Sequence, residues 1–539
     1  MTLPRSLPRR QEGGFALSCA CALASSALLL LASPGERFSL PLLAWFALLP
    51  LLWRLPRHAP RQAAALGFLC GLAYYLPLLR WILIVLATYG EVPLPLAGLA
   101  LFLLAAYMSC FLAAFSFLCA SLSRPPSLLL AAPVFWVGLD QLRGLLFTGF
   151  PWLDLGYTQH SLPALIQIAD LAGHHGVSFL IVLANSLTAL LLSILLGPRE
   201  ERPRPTLPLA ALALLGLAFA YNAWRLQTLP ATLAAAERMT VGVVQGNFPQ
   251  NQKWLPSFQE ETVETYLRLS REAMAGNEAQ LLVWPETALP FYPYEHPLFL
   301  RLTSELTAPH RIALLTGAPH RERASLDEPL RYYNSALLLS PEGVVSGRYD
   351  KQHLVPFGEY IPLRALLAFA SPVVETLGDF SPGTGEAPLA CQNARIGVLI
   401  CYESIFPELA RRQAANGANL LVNITNDAWF GRSNAPWQHL SMAAFRAVET
   451  RRSLVRSANT GISAFIDPLG RVASASPLFT RYAASAEVVL LAETSPFLRL
   501  GHFFPWLCLG LSAAGSLWAF KKKKTVANTE YPRGENHVC

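Results

Sequence analysis

Apolar and polar positions are distributed in two textures along this chain. In residues 1–227, and again in 501–520, apolar residues run on in long stretches almost free of charge, while residues 228–500 mix short apolar runs with polar and charged positions. A hydrocarbon layer about 30 Å thick needs about 20 apolar residues of helix, and about eight stretches qualify, near 15–33, 38–53, 62–85, 95–121, 127–145, 177–197, 206–225 and 502–520. The first has the apolar character of a signal peptide, but another span follows almost at once and no convincing cleavage site intervenes, so it reads as a retained helix. The pattern therefore predicts a polytopic α-helical membrane domain over 1–227 with roughly seven spans, a globular domain over 228–500, a last membrane helix over 501–520 and a basic tail over 521–539.

Within the globular segment, short runs rich in Val, Ile and Leu alternate with longer helical stretches, which is the α/β signature. Strands are predicted at Val241 to Gln245, Leu281 to Trp284, Ile312 to Thr316, Ser335 to Leu339, Ile396 to Ile400, Leu420 to Ile424, Ser453 to Ser457, Ser463 to Ile466 and Ala486 to Leu491. Helices are expected near 256–275, 405–416 and 436–452, and Pro341-Glu342-Gly343 reads as a hairpin turn.

Composition sharpens this picture. Across 539 residues, 53% hydrophobic and only 14% charged content excludes both a wholly water-soluble protein and a disordered one. A net charge of +7 raises the question of nucleic acid, but the basic residues of the apolar regions sit in short clusters beside the spans. That is a topology signal and argues against a nucleic-acid partner. Arg5, Arg9 and Arg10, then Arg54, Arg57 and Arg61, then Arg124, then Arg199, Arg202 and Arg204, and finally Lys521 to Lys524 all fall on one side. That side is the cytoplasmic one, so both termini are expected in the cytoplasm and the globular segment outside it. Of the 9 cysteines, Cys391 and Cys401 are the two in the globular segment, and no disulfide framework or metal spacing is evident. A Cys391–Cys401 bridge is one reading; a free, chemically active thiol is the other.

In open α/β sheets, working groups gather beyond the carboxyl ends of the strands. Glu286 follows the run Leu-Leu-Val-Trp in LLVWPETALP, Lys351 follows the outgoing hairpin strand in GRYDKQHLVPFGEYIPL, and Cys401 ends the run in RIGVLICYESIFPELA. Together they could serve as base, oxyanion-stabilising cation and nucleophile, with Glu286 needing partial burial to become basic enough for a thiol. Taken singly, each has a plain structural reading: a buried core cysteine, a helix-capping carboxylate and a solvated lysine.

In that order and at those spacings, the three stretches resemble the Glu-Lys-Cys set of the nitrilase superfamily, whose fold is an αββα sandwich. The segments VQGNFPQNQKW at 244–254, VPFGEYIPL at 355–363 and the long stretch from Asn423 to Val472 resemble one membrane-embedded branch, the apolipoprotein N-acyltransferases. The resemblance implies a ping-pong acyl transfer without metal or other cofactor. A membrane phospholipid would donate an acyl chain to Cys401 as a thioester, and the N-terminal amine of a diacylglyceryl apolipoprotein would accept it. It also implies supporting roles for Glu359 and Glu403, a pocket-shaping Tyr402 and a lid-like Trp254, in a bacterial inner membrane with a periplasmic active site. Glu403 reads equally as a first-turn helix carboxylate, and Trp254 as a core residue.

Asn423, Asn426 and Asp427 read as fixing backbone turns. The aromatic-rich loops Phe291 to Tyr294 and Leu363 to Phe369 are candidates for dipping into lipid, or simply for loop packing. Arg80, Asp140 and Arg143, near span ends, read as a headgroup contact, as snorkelling charges or as mutually paired ones. Two other functions fit parts of the pattern: a membrane-tethered nitrilase-like amidase, and a polytopic transporter or scaffold with an idle outer domain.

Overall fold

The computed structural model describes residues 14–122, 125–196, 205–276, 278–323, 327, 329–360 and 380–530. Leu363 to Phe369 lie outside the described residues, as do Arg5, Arg9, Arg10, Arg124, Arg199, Arg202 and Arg204.

Among its described residues, the globular segment has twelve strands in two six-stranded sheets. In chain order they are β1 (Glu237–Gln245), β2 (Leu281–Val283), β3 (Ala313–Glu322), β4 (Arg331–Leu339), β5 (Val345–Asp350), β6 (Leu389–Cys391), β7 (Ala394–Ile400), β8 (Leu420–Thr425), β9 (Ser453–Ala458), β10 (Ala464–Ile466), β11 (Val472–Ala475) and β12 (Tyr482–Leu490). One sheet has the order β12-β1-β2-β3-β4-β5 and the other β11-β10-β9-β8-β7-β6. In each, three central strands run parallel, β1-β2-β3 and β7-β8-β9, so their carboxyl ends open on the same edge. Val241, Val243, Val283, Leu315, Ile396, Val398, Val422 and Val455 fill the space between the sheets. The helix Gln259–Met274 covers the outer face of the first sheet, and Pro407–Ala415 with Ala435–Thr450 covers that of the second. The layering is the αββα sandwich.

Every predicted strand and helix of this segment has a counterpart within a few residues. Three strands lie outside the predicted set: β5, implied only as the return of the hairpin at Pro341-Glu342-Gly343, and the short edge strands β6 and β11, whose exposed positions offer too few apolar residues to register.

The membrane half follows the predicted pattern less closely. Among the described residues, four helices are long and apolar enough to cross a bilayer: Phe15–Ala32, Leu94–Ser121, Ala169–Leu196 and Thr206–Ala235. A fifth arises if Pro60–Leu78 and Trp81–Tyr89, bent by 51°, form one span, against the about eight the sequence predicts. Proline explains part of the difference. The stretch 38–53 splits into Pro41–Leu43, Ala44–Ala47 and Leu49–Arg54. At that break Asn185 accepts the amides of Leu48 and Leu49 at 2.8 and 3.0 Å and donates to the Ala44 carbonyl at 2.9 Å. Backbone groups freed inside a membrane need such partners. The last helix, Phe503–Glu530, has an apolar run that ends at Phe520, where its lysines begin. Thr206–Ala235 runs through the expected boundary at 227, so the chain enters the sandwich as a continuous helix.

The two halves share a core. One apolar cluster extends from Leu66, Met108 and Phe115 of the membrane helices to Tyr402, Phe430, Met442 and Phe445 of the sandwich. Buried ions reinforce it. Arg451 donates to Asp170 at 2.7 Å and to Gln167 at 2.7 Å. Asp154 pairs with Arg143 and lies 2.8 Å from His174, which meets Glu449 at 3.3 Å, and Glu449 lies 3.0 Å from Arg446. Asp140 and Arg143 are thus a mutual pair at 3.1 Å, while Arg80 is exposed.

Breaking one buried partner strands the other without water. Arg451→Met is expected to cost about 3 to 5 kcal/mol, read as a lower unfolding midpoint of the detergent-solubilised protein. Replacing Arg268, whose pair with Glu272 is half exposed, is expected to change stability by less than about 1 kcal/mol.

Candidate active site

The aligned carboxyl ends of β2, β5 and β7 release three loops toward one place. Trp284 ends the first, its ring stacked 4.9 Å from Tyr266 and its Nε1 donating to Ser270 at 2.9 Å. This fixes the exit of Pro285 and Glu286. The loop lies directly on Gly317 of β3, where a Cβ would come within 2.4 Å of the Thr287 nitrogen and 2.7 Å of the Glu286 Cα. Only glycine allows that approach. Lys351 begins the second loop, its own amide donating to the Asn334 carbonyl at 2.9 Å. Cys401 begins the third, in the left-handed region at φ 52°, which tips its side chain out of the line of β7.

Lys351 is 1% exposed, and its Nζ lies 2.9 Å from Glu359 and 3.7 Å from Glu286. Burial disfavours the ammonium, but the charges of Glu359, Glu286 and Cys401 outweigh it and hold Lys351 above the ordinary lysine range. Asn334 on β4 bridges the two acids: its Nδ2 donates to Glu286 at 2.7 Å and to Glu359 at 2.9 Å. Glu359 also accepts the Val355 amide at 2.8 Å. Cys401 keeps an accessible edge while protein packs densely around its sulfur. Burial pushes the thiol up to about 12; Glu286 adds to that shift, and Lys351 and the Thr425 hydroxyl oppose it. At rest the sulfur is therefore a thiol that needs a base at the moment of attack.

Glu403 does not touch this cluster. Fully buried, it accepts the amides of Ile400 at 2.7 Å, Gln352 at 2.6 Å and His353 at 3.1 Å, and the Tyr349 hydroxyl at 3.0 Å. Burial raises its carboxyl to about 7, with the amide donors opposing. One side chain thus caps the turn that begins at Cys401 and clamps the loop that follows Lys351. Tyr402 is buried, with its hydroxyl 3.4 Å from the Gly149 carbonyl of the membrane half. Trp254 is 43% exposed, at the rim and outside the core. Phe291 belongs to the sandwich core, stacked 4.2 Å from His296, so within its loop Tyr294 is the exposed ring.

Beneath Cys401, His439 places Nε2 3.1 Å from the Cys401 carbonyl, while its Nδ1 faces Asp427 and Arg456, each at 3.0 Å. Burial and then Arg456 lower the His439 imidazole, with Asp427 opposing. Asn423 does not hold a turn: it lies within β8, donating to the Leu399 carbonyl of β7 at 2.9 Å and accepting from Arg456 of β9, while Asn426, after β8, donates to Gln250 at 2.6 Å. Cys391 and Cys401 are both free. Cys391 pairs with Ala394 at the far end of β7, roughly 20 Å of strand from Cys401 and beyond disulfide reach. Sequence reasoning missed Asn334, His439 and Lys253. Asn334 stands out only as a polar residue among the apolar positions of YYNSALLL.

An αββα sandwich with a thiol, a lysine and two carboxylates at its strand ends defines the carbon-nitrogen hydrolase class. The family model described as Carbon-nitrogen hydrolase matches residues 240–493, and that described as Apolipoprotein N-acyltransferase N-terminal domain matches residues 25–187. The apolipoprotein N-acyltransferase of Geobacter metallireducens is 45% identical, over 93% of this chain and 95% of the relative. Those of Azotobacter vinelandii and Nitrosomonas europaea are 38% and 36% identical, covering 93% and 92% of this chain and 95% and 96% of theirs. Among solved structures, Nit3 of Saccharomyces cerevisiae is similar at 20% identity and a TM-score of 0.36, over 47% of this chain and 90% of that one. The chain belongs to the apolipoprotein N-acyltransferase family.

The Gly317 contact supplies a test of the site's geometry. Gly317→Ala is expected to displace Glu286 and lower catalytic turnover on the order of 10²-fold, with little change in substrate KM. Turnover at the wild-type rate would mean that the position of Glu286 does not matter.

Proposed function

We propose that Cys401, Glu286 and Lys351 transfer an acyl chain from a membrane phospholipid to the N-terminal amine of a diacylglyceryl apolipoprotein. The observation that carries this reading is the buried Lys351 ammonium held against Glu286 and Glu359 with the Cys401 thiol in electrostatic reach. In the first half-reaction Glu286 takes the Sγ proton as sulfur bonds to the ester carbonyl. Lys351 stabilises the oxyanion, and the proton passes to the alkoxide that leaves as lysophospholipid. In the second, the acceptor amine attacks the thioester carbonyl, and its proton returns through Glu286 to the departing Cys401 sulfur. Every atom is accounted for by the two substrates, so the scheme calls for no cofactor. Glu359 and Glu403 support it, by pairing Lys351 and by bracing the two loops.

The membrane half favours a lipid-borne substrate over a small soluble amide. It docks directly beneath the site, through Tyr402 on Gly149 and through Trp152, whose Nε1 donates to Gln438 at 2.7 Å. The arginine and lysine clusters beside the spans support an inner-membrane orientation with the sandwich in the periplasm and both termini in the cytoplasm. The exposed Trp254 and Phe357 suit a mouth that meets lipid.

Two outcomes test this reading. Cys401→Ala is expected to abolish triacylation of a lipoprotein substrate while the protein stays inserted and folded; triacylation at the normal rate would refute the role of Cys401. Lys351→Met is expected to lower turnover by about 10²- to 10³-fold, as loss of an oxyanion donor does.

A further inference from the structure

We propose that Lys253 is a positioning residue for this acyl transfer: its ammonium pins the Glu286–Thr287 turn and holds the Glu286 carboxylate toward Cys401. The proposal rests on the assignment of Cys401, Glu286 and Lys351 above.

Lys253 is 2% exposed, and a buried ammonium is costly without partners. Of the other large buried cations of the sandwich, Arg446, Arg451, Arg456 and Lys351 each pair with a carboxylate, while Arg452 donates to the carbonyls of Ala418, Thr450, Arg451 and Glu493. Among the described residues, no carboxylate lies within the 4.0 Å ion-pair distance of Lys253. Its charge is spent instead on the main chain of the base. Nζ donates to the Glu286 carbonyl at 3.0 Å and to the Thr287 hydroxyl at 2.5 Å.

That turn needs holding. Thr287 is a β-branched residue in the left-handed region at φ 46°, a conformation such residues rarely adopt. With Gly317 pressed beneath and Lys253 bonded above, the turn is fixed from both faces. Lys253 is itself anchored, its amide 3.2 Å from the Pro249 carbonyl, while the neighbouring Gln250 accepts from Asn426 beyond β8. Trp254 follows at once, so the rim of the site and the base share one tether.

The titratable groups whose charge reaches Lys253 are Glu286, after β2, and Cys401, after β7. Burial lowers the Lys253 ammonium to about 8, with Glu286 and Cys401 opposing. The group is thus charged at neutral pH, and a positive charge there favours the deprotonated state of the thiol it faces. Lys253 exchanges no atom with substrate: the proton still moves between Sγ, Glu286 and the leaving oxygen.

The test measures acylation of Cys401 by phosphatidylethanolamine vesicles without acceptor, across pH, for full-length wild type, Lys253→Met and Lys253→Gln. For Lys253→Met, the rate at pH 7 is expected to fall roughly 10- to 100-fold at unchanged phospholipid KM. Its ascending pH limb is expected to move up by about one unit. Lys253→Gln keeps a donor for the turn without the charge, so it should recover part of the rate but keep the shifted limb. A uniform loss with an unmoved limb, or no loss, would overturn the proposal. So would failure of both variants to fold, which would make Lys253 a scaffold residue. A wild type that never acylates Cys401 would instead overturn the parent assignment.

Discussion

An ammonium sealed from water between two carboxylates sets the terms for everything around it. Lys351 keeps its proton in a nearly dry pocket because Glu359 and Glu286 flank it, and one amide, Asn334, donates to both acids. Remove that arrangement and the site would relax by moving protons, as buried charges do. The parallel strand ends deliver the groups, Gly317 lets the Glu286 loop lie flat on β3, and Glu403 locks the loops of Lys351 and Cys401 together. The resting thiol is protonated in these surroundings, so reactivity is held back until an ester carbonyl and a base meet it.

A second network sets where this site sits. The buried pairs of Arg451 with Asp170 and of Arg446 with Glu449 carry polar contacts across the seam between the halves, and the apolar cluster around Tyr402, Phe430 and Met442 fills the space between them. Buried ion pairs contribute less to net stability than to a unique register, because any other docking leaves charges unpaired. Here the register aligns Cys401, its carbonyl held by His439 of the helix Ala435–Thr450, with the membrane segment at Gly149 and Trp152.

Much of this was legible in the sequence, for physical reasons that also explain the rest. Glu286 and Cys401 each follow a strand with a clear apolar run, while Lys351 follows the return strand of a hairpin marked by its Pro341-Glu342-Gly343 turn, so strand order places all three at strand ends. The αββα layering was read from the family resemblance, and the strand and helix pattern supported it. Asn334 has little local signal, and Lys253, though inside VQGNFPQNQKW, owes its importance to the distant Glu286 loop that folds onto it. The edge strands β6 and β11 are too short to signal. The broken stretch 38–53 looks like a span by hydropathy, and its break becomes tenable only through Asn185, far along the chain.

The most direct measurement is peptide-level mass spectrometry of the full-length protein after incubation with a phospholipid of defined chains and no acceptor. The account predicts one acyl group, labile to hydroxylamine, on the peptide containing Cys401, discharged when an N-terminal diacylglyceryl-cysteine peptide is added. An unmodified Cys401 peptide under conditions that support turnover, or an acyl group carried on another residue, would contradict it.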